Sequence, residues 1–171
     1  DNVPIRPEAK YLSVVRDPKD ALVSTVHFEN GFNQLLFGET VPSEAYVEAF
    51  MSTGFVYQPW PEFIHSWWRL RNEPNVKVVL YEDMKKSPDG LIREVADFLE
   101  VKLTNQEFDL IREKTSFAYM KEHDKKFAPP AWEKGFVPLI REGKSGSAKN
   151  MLSEEQRRRI NDWCRSSLTS L

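Results

Sequence analysis

The sequence has 171 residues, of which 40% are hydrophobic and 29% are charged, a composition typical of one globular domain. Its formal net charge of −2 gives no general basic excess, which disfavours a nucleic-acid-binding protein. The single cysteine, Cys164, excludes an intrachain disulfide, and no apolar run reaches the length of a membrane span. The opening residues lack the pattern of a signal peptide, so we expect a cytoplasmic protein with neither a nucleic-acid nor a membrane partner.

Short apolar runs and helical periodicities alternate along the chain. The runs at residues 11–15 and 76–81 are largely apolar, which predicts two buried strands. Helix starts are indicated by Pro18 and by capping boxes at residues 104–107 and 153–156. In chain order, we expect helices near residues 18–31, 43–51, 61–70, 88–99, 104–114, 117–121 and 153–168, and irregular segments at 31–42 and 124–150.

Two strands separated by helices predict an α/β fold with a parallel sheet. Because two strands make a poor sheet alone, we expect further strands outside these 171 residues. The last helix is expected to bury one apolar stripe. That stripe consists of Ile160, Trp163, Cys164 and Leu168.

Polar side chains follow both predicted strands. Arg16 stands between the first strand and its helix, at the edge of a parallel sheet where ligands gather. Its planar guanidinium matches a phosphate, and Ser24, two turns into the helix, could add a hydroxyl donor. Tyr81 follows the second strand and could present its hydroxyl to the same ligand. The alternatives remain open: Arg16 could pair with a carboxylate, Ser24 could serve packing, and Tyr81 could be a core tyrosine.

A glycine-containing basic segment covers residues 141–150. Its glycines would let the backbone approach a phosphate closely, while Arg141, Lys144 and Lys149 supply positive charge. This combination predicts an anion-binding loop. A solvated flexible loop is the alternative that such a composition also fits.

The segment at residues 115–120 combines hydroxyl groups with an aromatic ring. Phe117 could stack on a purine, while Thr115 or Ser116 could form a hydrogen bond with its edge. An ordinary helix start with a core phenylalanine is the other interpretation of these residues.

These four segments, in this order and spacing, resemble the cytosolic sulfotransferase family that uses 3′-phosphoadenosine 5′-phosphosulfate (PAPS). The resemblance extends from Tyr11 to about Trp163 and implies part of a P-loop-like three-layer fold, with a central parallel sheet flanked by helices. It implies PAPS as sulfuryl donor, 3′-phosphoadenosine 5′-phosphate (PAP) as product, and a small-molecule acceptor with a hydroxyl or amine. It assigns contacts with the 3′-phosphate or the rest of the nucleotide to Arg16, Ser24, Tyr81, Thr115, Phe117, Arg141, Glu142 and Gly143.

The sequence also departs from the family pattern. Glu142 stands where a lysine is common, and it should weaken phosphate binding unless its side chain turns away. Residues 149–158 match the family's dimer segment poorly, so the oligomeric state is left open.

The resemblance places the family's 5′-phosphate loop and its histidine base in segments that would precede Asp1. None of His27, His65 and His123 matches the position of that base, so the catalytic residues are unknown. We therefore expect residues 1–171 to form a single sulfotransferase domain that is incomplete at its amino terminus and supplies the 3′-phosphate and adenine half of the site. The family reaction requires no metal.

Three other functions stay open at this point. The chain could be a catalytically inactive nucleotide-binding fragment or a degenerate relative. It could be a helical interaction domain that uses its tryptophan-rich helix as a partner surface. A kinase-like phosphoryl transferase would need a Walker-type loop, and Lys144-Ser145 is not preceded by that spacing.

Overall fold

The computed structural model describes residues 4–53, 59–127, 135 and 137–169. In chain order the elements are β1 (Tyr11–Val15), α1 (Pro18–Phe37), α2 (Ser43–Thr53), α3 (Trp60–Trp68), β2 (Val76–Leu80), α4 (Tyr81–Lys86), α5 (Pro88–Phe98), α6 (Asn105–Lys114), α7 (Phe117–Glu122), a 3₁₀ turn (Asp124–Phe127), α8 (Ala148–Met151) and α9 (Glu154–Thr169). None of the helices described is both long and apolar enough to cross a membrane.

The chain divides into two compact units. The first consists of Asp1–Arg16 and Phe63–Lys114, and the second of Asp17–Glu62 and Thr115–Leu171.

A parallel pair of strands organises the first unit. β1 and β2 pair in register from Tyr11 opposite Val76 to Val15 opposite Leu80. Both predicted strands and the α/β class are thereby confirmed, although Tyr81 begins α4 instead of ending β2. Because the strands are parallel, their carboxyl ends lie at one edge of the sheet, and Arg16 and Tyr81 directly follow those ends.

Two amphipathic helices complete the first unit. The capping box predicted before α6 is present: the Thr104 amide donates to the Glu107 carboxylate at 2.8 Å, and the Glu107 amide donates back to the Thr104 hydroxyl at 3.3 Å. Phe108 of α6 is buried, and the guanidinium of Arg93 on α5 lies 4.1 Å from the centre of its ring. The two helices predicted over residues 88–114 are thereby confirmed.

An apolar cluster formed by α1, α2, α8 and α9 is the core of the second unit. Its members are Leu22, Val23, Val26, Tyr46, Val47, Phe50, Ala148, Leu152, Ile160 and Cys164. Burial raises the pKa of the Cys164 thiol to about 11, so the group is neutral at physiological pH. The predicted stripe on α9 is correct for Ile160 and Cys164 but wrong for Leu168, which is 39% exposed because it lies in the last turn, beyond the core.

Helix α1 is longer than the sequence predicts. The expected end near Gly31 is wrong, and the predicted loop over residues 31–42 is correct only for residues 38–42, because α1 continues to Phe37 and ends at Gly38 with a left-handed φ of 74°. Gly31 lies inside the helix, where a Cβ would come within 2.5 Å of Val137 Cγ1. The glycine at this position therefore permits close packing instead of marking a helix end.

The segment predicted as irregular over residues 124–150 contains two short helical pieces. These are the 3₁₀ turn at Asp124–Phe127 and α8 at Ala148–Met151. The rest of this prediction falls partly on residues 128–134 and 136, which lie outside the described residues.

Candidate functional site

In the first unit, Arg16 and Tyr81 are brought together at the carboxyl edge of the sheet. The central carbon of the Arg16 guanidinium lies 4.6 Å from the centre of the Tyr81 ring, a distance typical of a cation–π contact. The contact restrains the guanidinium at the strand end. A restrained planar guanidinium is suited to forming two parallel hydrogen bonds with a phosphate.

In the second unit, the segment that begins α7 contacts the glycine-containing loop. Gly143 has a left-handed φ of 59°, and a Cβ built on it would lie 2.5 Å from Phe117 Cδ2. Lys121 lies over the same ring, 5.6 Å from its centre, and donates to the Arg141 carbonyl at 2.7 Å. Two segments predicted to bind one nucleotide are therefore in direct contact, and the absence of a side chain at residue 143 permits that contact.

The side chains of Arg141 and Glu142 interact with each other. Arg141 Nη1 donates to Glu142 Oε1 at 2.8 Å, and both side chains are partly exposed. The Glu142 carboxylate therefore already pairs with the guanidinium that is expected to bind phosphate. When an anion binds, this carboxylate must either move away or remain close to a second negative charge.

Ser24 is exposed on α1. Asp20 and His27 are four residues before it and three residues after it, so the three share one face of the helix. The Asp20 carboxylate accepts hydrogen bonds from the backbone of the glycine-containing loop. Burial and, to a smaller extent, the positive charge of Arg141 lower the pKa of His27, while Glu142 opposes this shift. Both neighbours of Ser24 on this face thus interact with residues 141–148.

The remaining predicted residue, Thr115, is exposed and precedes Ser116, the N-cap of α7. Ser116 accepts a hydrogen bond from the Tyr119 amide at 3.2 Å, so it stabilises the helix start. Among the histidines, His123 stacks on Tyr119 at 4.0 Å and contacts its carbonyl, which is a structural arrangement. The described residues contain no cluster of three or more potential metal ligands.

Sequence reasoning missed two residues that shape the loop. Lys121 holds the Arg141 carbonyl, and Asp20 holds the segment that begins at Gly146. Lys121 gives no usable signal, because an exposed lysine on a short helix is common. Asp20 gives a weak one, because an aspartate next to the strongly apolar sequence of residues 21–23 is close to the buried face of its helix.

The family model for the sulfotransferase domain matches residues 3–171. The chain belongs to the sulfotransferase family. Sulfotransferase 2A1 of Rattus norvegicus is 35% identical over 152 residues, an alignment that covers 87% of this chain and 53% of the relative. The 3-alpha-hydroxysteroid sulfotransferase of Cavia porcellus is 32% identical over 152 residues, covering 87% of this chain and 52% of the relative.

A solved structure supports the same family. The mouse sulfotransferase SULT7A1 in complex with PAP is similar with a TM-score of 0.77 and 25% identity, and the match covers 94% of this chain and 58% of that chain. The sulfotransferase α/β fold is thus the fold of this chain. The chain spans about half the length of the curated relatives it matches.

The ion pair between Arg141 and Glu142 leads to a prediction about nucleotide affinity. Glu142→Gln is expected to strengthen PAP binding about two- to fivefold, because it removes a negative charge beside the expected phosphate and frees Arg141 from a pair of roughly 0–1 kcal/mol. Isothermal titration calorimetry with PAP measures the effect. Glu122→Gln, an exposed substitution on α7, is the matched control and should leave the affinity unchanged. Weaker binding by Glu142→Gln would mean that Glu142 supports the site.

Proposed function

We propose that this protein is a sulfotransferase that transfers the sulfuryl group of PAPS to a hydroxyl or amine of a small-molecule acceptor. The observation that carries the proposal is the contact between Phe117 and Gly143 in a chain of the sulfotransferase family, because it joins the expected adenine-side segment to the expected phosphate loop. The PAP bound by the mouse relative adds support for the nucleotide. The name of the guinea-pig relative supports an acceptor hydroxyl, since it specifies a 3-alpha-hydroxysteroid.

The family resemblance assigns the phosphate-binding roles in this proposal. By that assignment Arg16, Ser24 and Arg141 bind the 3′-phosphate, and the backbone amides of Glu142 and Gly143 donate to the same group. A positive φ at Gly143 directs the backbone into the loop conformation that brings successive N–H groups towards an anion. These donors neutralise a charge that lies away from the reacting sulfur, so their binding energy positions the donor.

The adenine is held by aromatic and hydroxyl groups. Phe117 is 39% exposed, so one part of its ring packs on Gly143 while another part remains accessible to a base. Stacking on such a ring contributes about 1–3 kcal/mol. Thr115 and Tyr81 supply hydroxyl groups, and the contact with the Arg16 guanidinium restrains the Tyr81 ring.

The sulfuryl transfer itself is assigned to other residues. The family resemblance places the proton-accepting histidine and the 5′-phosphosulfate lysine in segments that would precede Asp1. In this proposal the residues named above supply the 3′-phosphate and adenine half of the site, an interpretation supported by the coverage of only about half of the curated relatives' length. We accordingly expect the 171-residue chain to bind the nucleotide weakly and to transfer no sulfate. A cytoplasmic location stays a prediction of the sequence.

Two measurements test the proposal. Calorimetric titration of the 171-residue chain with PAP should give a dissociation constant between about forty micromolar and a few millimolar, the range expected from two charge-assisted hydrogen-bond contacts. A sulfate-transfer assay of the whole protein, with PAPS and a hydroxysteroid or an arylamine, should show labelled product. Binding without transfer would favour a catalytically inactive relative, and the absence of both would contradict the proposal.

A further inference from the structure

A buried carboxylate on α1 holds the second half of the glycine-containing loop. Asp20 is only 3% exposed, and its two oxygens accept from the Gly146 amide at 2.5 Å and the Ala148 amide at 3.0 Å. The Ser147 hydroxyl adds a longer contact at 3.4 Å. All of these groups belong to the second unit.

The contacts satisfy a group that would otherwise be costly to bury. A buried carboxylate requires hydrogen-bond donors, and here they come mainly from backbone N–H groups. Gly146 has a φ of 83°, and this left-handed conformation turns its amide towards Asp20 together with that of Ala148. The side chain of Asp20 thus engages the donors that this part of the loop could have offered to a phosphate.

The hydrogen-bond donors of the loop fall into two groups. The amides of Gly146 and Ala148 are engaged by Asp20, whereas Arg141, Glu142 and Gly143 precede this anchored part. Ser24 stands one helical turn after Asp20 on the same face of α1. The anchor therefore fixes the loop against the helix that carries Ser24.

We propose that Asp20 is a positioning residue of the nucleotide site: it ties residues 146–148 to α1, so that Ser24 and the segment 141–143 act on the same phosphate. The inference rests on the proposed function, since it assumes that these groups bind the 3′-phosphate of PAP. It adds a role for a residue that does not contact the nucleotide.

The first test uses the wild-type chain and NMR spectroscopy. Before nucleotide is added, hydrogen exchange at the Gly146 and Ala148 amides should be slower than at the exposed Ser145. Saturation with PAP should shift the Glu142 and Gly143 amide signals and leave the Gly146 and Ala148 amides protected. Unprotected Gly146 and Ala148 amides, or large PAP-induced shifts confined to them, would overturn the proposal.

The second test uses Asp20→Asn, which keeps the shape of the side chain but replaces one acceptor oxygen with a donor. Protection of the Gly146 and Ala148 amides should fall without nucleotide, and PAP affinity should fall about tenfold, the scale of one charge-assisted hydrogen bond. Asp17→Asn is the matched control: it removes the same charge from the preceding N-cap, where asparagine also caps well. Equal losses of affinity in both variants would contradict a specific role for Asp20.

A double-mutant cycle separates positioning from general stabilisation. Ser24→Ala should weaken PAP binding in the wild-type background and add little in the Asp20→Asn background, because the loop and Ser24 no longer act together. Equal effects in both backgrounds would show that Asp20 is only structural. If Asp20→Asn does not fold, the wild-type exchange experiment decides the question. If the wild-type chain does not bind PAP and the whole protein transfers no sulfate, the proposed function fails, while amide protection still reports separately on the Asp20 anchor.

Discussion

Replacing Arg16 with alanine is expected to weaken PAP binding about 10- to 100-fold. The reason is that a hydrogen bond between charged groups contributes about 1.5–3 kcal/mol, and the guanidinium is restrained above Tyr81 before any ligand binds. The loss includes both the charge and the planar pair of donors. Calorimetric titration of the purified variant with PAP measures it directly.

Two control variants make this result specific. Arg16→Lys keeps the charge but loses the planar fork, so its affinity should lie between those of the wild-type chain and Arg16→Ala. Arg6→Ala removes an exposed arginine of the same unit and should bind PAP as the wild-type chain does. Unchanged affinity in Arg16→Ala would remove Arg16 from the site and undermine the interpretation of the strand ends.

Replacing Gly143 with alanine is expected to reduce PAP affinity at least about tenfold. The left-handed φ of 59° costs an alanine about 1–2 kcal/mol, and the new Cβ would meet Phe117 Cδ2 at 2.5 Å. Either the ring moves or the loop moves, and both the phosphate loop and the stacking surface are changed. PAP titration measures the affinity, and thermal unfolding should also show a loss of stability, because the strain and the clash with Phe117 both act on the folded chain.

Gly38→Ala is the matched control for backbone strain. Gly38 also has a left-handed φ, 74°, but a Cβ there would meet nothing within 4 Å. It should therefore lower stability through strain alone and leave PAP affinity unchanged. If Gly143→Ala bound PAP as tightly as the wild-type chain, the contact between Phe117 and Gly143 would have no part in nucleotide binding.

Local signals in the sequence were sufficient for much of the fold. β-Branched runs located both strands, and capping boxes located the starts of α6 and α9, because these features depend on residues close together in the chain. The end of α1 was predicted wrongly for the opposite reason. Gly31 lies inside the helix and leaves room there for Val137, more than a hundred residues later, and no local pattern contains that packing requirement.

In the candidate site, too, the features set by residues close in sequence were predictable and those set by distant residues were not. The proximity of Arg16 and Tyr81 is expected for residues that follow adjacent parallel strands, and the structure places them in contact. By contrast, the roles of Asp20 and Lys121 depend on hydrogen bonds to distant backbone groups, whose positions are set by tertiary packing. The pairing of Arg141 with Glu142 was likewise not predicted, because adjacent side chains can turn towards or away from each other.

Recognition of the 3′-phosphate is tested most directly by comparing PAP with adenosine 5′-monophosphate in the same calorimetric titration of the 171-residue chain. The two nucleotides share the adenine, the ribose and the 5′-phosphate, so their difference isolates the 3′-phosphate. PAP should bind at least about tenfold more tightly, as expected for charge-assisted hydrogen bonds to that group. Equal affinities for the two nucleotides would contradict the account.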